Sequence, residues 1–314
     1  MSCKTDKDFK RFFPNHKIAS LERMQRKFKQ NGNHKSQDPK EEMINRAREK
    51  EIRKLRKRNT LYEIVGEQLL ESTKAIPAGE VPKKIKTNNK NFDEEEMCTL
   101  FSDCHVGLTV DSKQSGGLGM YNPEIFKEEM EFLRKSQEKV FDLHSNVPYN
   151  TMNIFMLGDI IENRIMREAQ LRLTEINIVQ QVMEAVNEIS LWVAWLSRHF
   201  NEVNIYCVVG NHGRLTSKIG VLSPSDSFDY LVYKWMKERL KDHSNVKFNI
   251  SESWWMAVER MGVKFYLEHG EEFRSWAGIP FYGLKRGKAN MRELLSQYLD
   301  EKGRKMDFDL FCVG

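Results

Sequence analysis

Short apolar runs alternate with long amphipathic segments over residues 97–313. Runs of this kind predict buried strands, and longer segments with apolar positions three or four apart predict helices that cover a sheet. The predicted strands span residues 97–101, 153–157, 203–209, 246–250, 254–258, 263–267 and 308–313. The predicted helices span residues 123–144, 164–199, 225–241 and 284–299. The alternation therefore predicts a layered α/β domain.

Local signals refine two of these boundaries. Asn122 is placed to cap the helix that begins at 123, and Pro123 suits its first turn. Met261 and Gly262 stand between two β-rich runs, which predicts a tight hairpin turn.

The region before residue 92 has a different composition. Residues 41–74 contain no proline, one glycine and many Glu, Lys, Arg and Leu, so they predict a helix. A small helix-turn-helix around residues 18–28 is conceivable. Residues 75–91 contain two prolines, a glycine and several lysines, a composition typical of a linker. The predicted organisation is a basic, mostly helical N-terminal region (1–74), a linker (75–91) and a folded domain (92–314).

Charge is unevenly distributed along the chain. Residues 1–60 hold 19 Lys/Arg and 8 Asp/Glu, whereas residues 61–314 hold 31 Lys/Arg and 37 Asp/Glu, within a net charge of +5. A basic arm joined to a mildly acidic body favours nucleic acid, and DNA in particular, as a partner. The alternative is that the arm is a solvated, partly disordered tail. The pattern does not indicate an oligomeric state.

Other features of the composition narrow the class of protein. No apolar stretch approaches the length of a membrane span, and the N-terminus lacks the apolar segment of a secretory signal, so we expect no membrane partner and a cytoplasmic location. The five cysteines show no Cys-x-x-Cys spacing, so we expect free thiols.

Polar residues that can ligate metals follow four of the predicted strands. Strand ends are where open α/β sheets build their sites. The residues are Asp103, His105, Asp159, Asn211, His212 and His269. Oxygen and nitrogen donors together suit Mn²⁺, Fe or Zn²⁺ better than Ca²⁺ or Mg²⁺. We therefore expect divalent metal ions at these strand ends.

The motifs formed by these residues resemble those of a known superfamily. In order they are Asp-x-His at 103–105, Gly-Asp at 158–159, Gly-Asn-His at 210–212 and His-Gly at 269–270. Over about residues 96–314 they resemble the calcineurin-like metallophosphoesterases, and are most similar to phage-encoded members and repair nucleases of that fold. The resemblance implies two mixed β-sheets flanked by helices. It also implies a host-cytoplasmic location if the chain is phage-encoded.

The resemblance further implies a role for each residue. Two divalent ions would be bound, with Mn²⁺ favoured and Fe, Zn²⁺ or Mg²⁺ also possible. Asp103 and His105 would ligate the first ion, Asp159 would bridge, Asn211 and His269 would ligate the second, and His212 would donate a proton or stabilise charge. The implied activity is hydrolysis of a phosphodiester through a metal-bridging hydroxide, and the basic arm indicates DNA as the substrate.

Two positions depart from the superfamily pattern. The last motif, Gly-His-x-His, should follow the final strand, but the sequence stops at Gly314, which matches its first glycine. We therefore expect a C-terminally truncated chain, an interrupted gene or a degraded enzyme. Many members carry Asp or Glu where this chain has Gly213.

Two further residues and two further functions remain open. Arg214 and Asn163 are candidate contacts to a substrate phosphate, or ordinary surface residues. The same scaffold could serve a phosphomonoesterase or protein phosphatase, because a fold does not determine its substrate. It could also be catalytically inert in a nucleic-acid-binding or assembly protein.

Overall fold

The computed structural model describes residues 49, 74–84, 95–113, 115–144, 149–165, 168–216, 222–271, 273, 280–298, 303 and 305–314. Residues Ser72–Gly314 belong to one compact unit. The predicted helix-turn-helix, the basic arm of residues 1–60 apart from Glu49, and residues 85–91 of the linker lie outside the described residues. So does the predicted helix over 41–74, except for Glu49, which is helical, and Lys74.

The first sheet contains four parallel strands in chain order. They are β1 (Glu95–Phe101), β2 (Tyr149–Met156), β3 (Glu202–Cys207) and β4 (Val246–Ile250). In their register Thr99 lies beside Ile154, Ile154 beside Ile205 and Ile205 beside Phe248. The prediction of two mixed sheets is wrong for this one, because a helix crosses over in every connection and brings the next strand back in parallel.

Three helices connect these strands. They are α1 (Pro123–Leu143), α2 (Ile178–Leu196) and α3 (Phe228–Arg239). The Asn122 side chain accepts a hydrogen bond from the Ile125 amide at 2.8 Å, which confirms the predicted cap. The prediction of one helix over 164–199 is wrong at its start, because Asn177 and Gln180 form a capping box that begins α2 at Ile178. Among the described residues of the predicted range that precede it, the chain forms a short 3₁₀ turn, Glu168–Leu171.

Successive side chains of the first sheet point to opposite faces. Ile154 and Met156 pack against the helices, whereas Phe155 and Leu157 pack against the second sheet. Right-handed crossovers between strands in chain order place all three helices on one face. The other face is thereby left for the second sheet.

The second sheet is mixed, as predicted. It contains β5 (Trp255–Arg260), β6 (Val263–Glu268) and β7 (Leu310–Val313), with β5 antiparallel and β7 parallel to β6. Met261 and Gly262 form the predicted hairpin turn, with φ of 52° and 79°. Its outer face packs against the helix α4 (Phe281–Leu295) through Leu295 and Met291. The layers are therefore helix, sheet, sheet and helix.

The described part of the linker is neither helix nor strand, as its composition predicts. It nevertheless packs against the domain. Ile76 is buried, its amide donates to the Arg239 carbonyl at 2.8 Å, and its carbonyl lies 3.2 Å from Nε2 of the buried His243. Residues 74–84 are therefore part of the folded unit.

Within the described residues, no helix is both long enough and apolar enough to cross a bilayer. The cytoplasmic location stays a prediction.

Candidate metal centre

The carboxyl ends of four strands meet at one edge of the two sheets. The side chains that follow β1, β2, β3 and β6 converge there, and we call them the metal centre. Its members are Asp103, His105, Asp159, Asn211, His212 and His269. All six residues predicted as ligands or catalytic groups are therefore brought together.

Asp159 lies at the middle of the metal centre. Its Oδ2 is 3.1 Å from His269 Nε2 and 3.8 Å from His105 Nε2. His105 Nε2 is also 3.6 Å from Asp103 Oδ1, and His269 Nε2 is 3.0 Å from Asn211 Oδ1. One carboxylate oxygen thus faces imidazole nitrogens that arrive from both sheets.

Two groups of side chains could each hold a metal ion, and Asp159 belongs to both. One group is His105, Asp159 and His212, and the other is Asp103, Asp159 and His269, with the ligand atoms of each group within 4.8 Å of one another. The resemblance instead pairs Asp103 with His105. A shared carboxylate is the arrangement that suits a pair of neighbouring cations.

The backbone bends sharply beneath the metal centre. Asp103, His105 and Asp159 have φ of 56°, 43° and 52°, in the left-handed region that L-residues adopt infrequently. A Cβ on Gly158 would overlap with the Gly210 backbone, so these two strand ends can approach only because both residues are glycine. Unfavourable backbone conformations are therefore concentrated where the ligands turn inward.

Asp229, which the sequence analysis did not identify, holds the strand ends in place. This buried residue lies in the first turn of α3. Its carboxylate accepts hydrogen bonds from the amides of Asp159, Ile160 and Gly210 at 3.0, 3.2 and 2.9 Å. Burial, followed by the nearby Asp159 charge, raises the pKa of Asp229 to about 6. The only sequence signal was an acidic residue at the start of an amphipathic helix.

Glu162 is the second residue that sequence reasoning missed. Its Oε2 lies 2.8 Å from His105 Nδ1 and 3.1 Å from His212 Nδ1. Burial alone would raise the pKa of Glu162, but hydrogen bonds from the two histidines hold it at about 2. An ionised carboxylate can accept a hydrogen bond from the Nδ1–H group of either ring, which leaves Nε2 of that ring available for other contacts. Its position three residues after Asp159 was the available signal.

The electrostatics of the metal centre suit a cation. Burial would lower the pKa of His105 and His269, yet Asp103, Glu162 and Asp159 raise the pKa of His105 to about 10, and Asp159 chiefly raises the pKa of His269 to about 9. The carboxylates thus favour positive charge on two partly buried rings. A divalent ion bound by neutral imidazoles would supply that charge instead. The donor set of oxygen and nitrogen therefore fits such an ion.

The two candidate phosphate contacts lie in the framework of the loops. Asn163 is fully buried, and its Nδ2 donates to the carbonyls of His212 and Arg214 at 2.7 and 2.8 Å. Arg214 is buried too, pairs with Glu271 and lies 5.9 Å from the centre of the Trp254 ring. Both residues therefore shape the loop after β3.

Gly213 and Gly314 lie beside the metal centre. A Cβ on Gly213 would overlap with Ser227 Oγ and lie 2.9 Å from Asp229 Cγ, so local packing leaves no room for a larger residue at this position. The Gly314 amide donates to the His269 carbonyl at 3.1 Å, which places the residue after β7 at the same edge.

No protein-family model matches the chain, and no curated protein matches it.

Proposed function

We propose that this chain is a metal-dependent phosphoester hydrolase with the calcineurin-like metallophosphoesterase fold, and that it cleaves phosphodiesters in DNA. The observation that carries the proposal is the position of Asp159, whose carboxylate belongs to both groups of possible metal ligands. Ancestry from that superfamily rests on the motifs and is compatible with the two-sheet α/β architecture.

Two divalent ions would be held by the metal centre, with Mn²⁺ favoured. His105 and Asp103 would contribute from one strand end and Asn211 and His269 from two others, and Asp159, which belongs to both groups of possible ligands, would contribute to both ions. Ions bound in this way polarise a phosphoryl group and lower the pKa of a water molecule, which supplies a nucleophile at neutral pH.

The protein's own groups would position the substrate and move a proton. Glu162 Oε2 lies 3.1 Å from His212 Nδ1, so the carboxylate fixes the orientation of the ring. In the doubly protonated ring, Nδ1–H donates to Glu162 and Nε2–H is left to donate a proton to the leaving oxygen. The Asp159 carboxylate is held in turn, because its Oδ1 accepts a hydrogen bond from the His212 amide at 2.7 Å.

DNA is the proposed substrate because residues 1–60 carry 19 Lys/Arg against 8 Asp/Glu. A basic arm raises the local concentration of a polyanion without regard to its sequence. The same arm would do little for a small phosphomonoester.

Substitution of Asp159 by Asn tests the proposal. The amide keeps the shape but loses the charge and half of the acceptor capacity, so we expect Mn²⁺ affinity to fall by at least about 100-fold. Calorimetric titration measures the affinity, and Mn²⁺-dependent hydrolysis of bis(p-nitrophenyl) phosphate should disappear with it.

Asp142→Asn is the matched control, because it makes the same change at an exposed position near the end of α1. It should leave both quantities unchanged. Mn²⁺ binding that is equally tight in Asp159→Asn would overturn the assignment of the site. Faster hydrolysis of p-nitrophenyl phosphate than of the diester would overturn the assignment of the substrate class.

A further inference from the structure

The exposed residues in the first three turns of α4 are aromatic or basic, apart from Ala289 and Asn290. Residues at intervals of four, three and four lie on one side of a helix, and their neighbours one position on lie beside them. The face consists of Phe281, Tyr282, Lys285, Arg286, Lys288 and Arg292, and Ala289 and Glu293 lie beside it. We call it the α4 face.

Packing on the side of the helix next to Lys288 fixes the orientation of this face, and Lys288 itself is half-buried. Leu295 is buried and Met291 packs beside it against the second sheet. Gly287 lies against the Phe273 ring so closely that a Cβ would overlap with it. Phe281 and Tyr282 are consequently 69% and 81% exposed. Two adjacent rings of this size in water suit a binding surface better than a core.

The α4 face is strongly positive. Residues 280–292 contain four Lys/Arg and no Asp/Glu, and the first acidic residue is Glu293 in the last turn. Arg292 pairs with Asp307 at 3.2 Å. Across the described ranges, no carboxylate forms an ion pair with Lys285, Arg286 or Lys288. Their charge is therefore available to an anionic partner.

One aromatic ring joins the helix α4 to the segment that follows His269. Phe273 packs against Gly287 in α4, and its amide donates to the Gly270 carbonyl at 3.1 Å. Gly270 directly follows His269. The segment that follows His269 therefore packs against the helix that carries the α4 face.

We propose that the α4 face binds single-stranded nucleic acid, with bases stacked on Phe281 and Tyr282 and phosphates contacting Lys285, Arg286 and Lys288. Rings combined with cations are how proteins bind single strands without sequence preference. Bases in a duplex are stacked on one another and cannot reach exposed rings. The binding stands without catalysis, whereas a role in presenting the strand for cleavage rests on the proposed function.

The test measures binding of a fluorescein-labelled oligo-dT to the chain of residues 1–314 by fluorescence anisotropy in EDTA. The double variant Phe281→Ala/Tyr282→Ala should bind at least about tenfold more weakly than the unaltered chain. Lys285→Gln/Arg286→Gln should weaken binding and reduce its dependence on salt. The basic arm is present in every variant, so a difference between variants belongs to α4. Ultraviolet cross-linking should join the oligonucleotide to the peptide that contains Tyr282.

Phe132→Ala/Lys139→Glu on α1 is the matched control, because Phe132 is 71% exposed and Lys139 is also exposed. It should bind as the unaltered chain does. Binding by the Phe281/Tyr282 variant within twofold of the unaltered chain would overturn the proposal. So would a change in self-association without a change in oligo-dT binding, because it would assign the face to a protein. Hydrolysis of bis(p-nitrophenyl) phosphate should be equal in all these variants, which separates this test from that of the proposed function.

Discussion

Two polar clusters lie between the same two sheets, one toward each end of the strands, and their chemistry differs. The metal centre lies at the carboxyl ends. The amino-end cluster contains Glu96, Asn153, Glu202, Asn204 and Arg260. In it, Glu96 accepts from Arg260 Nε and Asn153 Nδ2, both at 2.8 Å, and Asn204 Nδ2 donates to Glu202 at 2.8 Å. Its side chains are therefore matched donors and acceptors within the protein.

The metal centre lacks this internal balance. The amino-end cluster has no residue with positive φ, whereas Asp103, His105 and Asp159 all have one. The pKa of His105 is raised to about 10 in the metal centre, and the pKa of Glu162 is lowered to about 2. Burial of polar groups between sheets therefore does not by itself identify a functional site. Backbone strain in the same residues as strongly shifted pKa values is the better indicator of one.

Of the substitutions considered, Gly210→Ala should have the largest effect on the metal centre. The new Cβ would overlap with Asp159 Oδ1 and with the Asp159 amide nitrogen, and the backbone cannot move away because Asp229 holds both amides. We expect Mn²⁺ affinity to fall at least about 100-fold and the free energy of unfolding to fall by about 2–3 kcal/mol. Calorimetric titration and urea denaturation measure the two quantities.

Gly119→Ala is the matched control, since nothing lies within 4 Å of a Cβ at that exposed position. It should stay within about 0.5 kcal/mol of the unaltered chain and bind Mn²⁺ normally. Unchanged Mn²⁺ affinity in Gly210→Ala would show that the position of Asp159 is not needed for binding.

The strand ends and the ligands could be predicted from the sequence because both signals are local. An apolar run that ends in Asp-x-His or Gly-Asn-His shows the strand and the polar residues in one short segment. The parallel order of the first sheet places those segments side by side. The local sequence pattern was therefore enough to predict which residues come together in the metal centre.

The residues that support the ligands could not be predicted in this way. Asp229 contacts Asp159, which is 70 positions away along the chain, and nothing near either residue signals the contact. The sequence predicted Arg214 as a phosphate contact, but in the fold it pairs with Glu271 and lies beside the Trp254 ring. Roles that depend on distant partners need the tertiary structure.

The pH dependence of stability should also distinguish the two clusters, with a smaller effect than Gly210→Ala has. The folded-state pKa values of His105 and His269 are raised to about 10 and about 9, above the ordinary value of about 6.5. Their contribution is fully present below about pH 6.5 and is lost as pH rises through about 9–10. In EDTA, the free energy of unfolding should fall on the order of 2 kcal/mol between about pH 7 and pH 10.

His105→Gln should flatten this dependence, and exposed His144→Gln should not. Mn²⁺ should oppose the loss, because the ion binds neutral imidazole and gains affinity as protons leave. Urea midpoints measured across the range provide the comparison. An equal slope in His105→Gln and the unaltered chain would mean that the carboxylates of the metal centre do not hold that proton.

Disruption of the amino-end cluster should cost stability and leave metal binding intact. Glu96 and Arg260 side chains are 12% and 25% exposed, and Arg260 Nη2 donates to Glu96 Oε1 at 2.5 Å. Arg260→Met leaves a carboxylate that, among the described side chains, keeps only its hydrogen bond from Asn153, so we expect the free energy of unfolding to fall by about 1–2 kcal/mol. Adding Glu96→Gln should recover part of it, because the unpaired charge is removed. Mn²⁺ affinity should stay within twofold in both variants. A loss of affinity like that of Gly210→Ala would show that the sheets transmit strain between the clusters, and the amino-end cluster would then belong to the site.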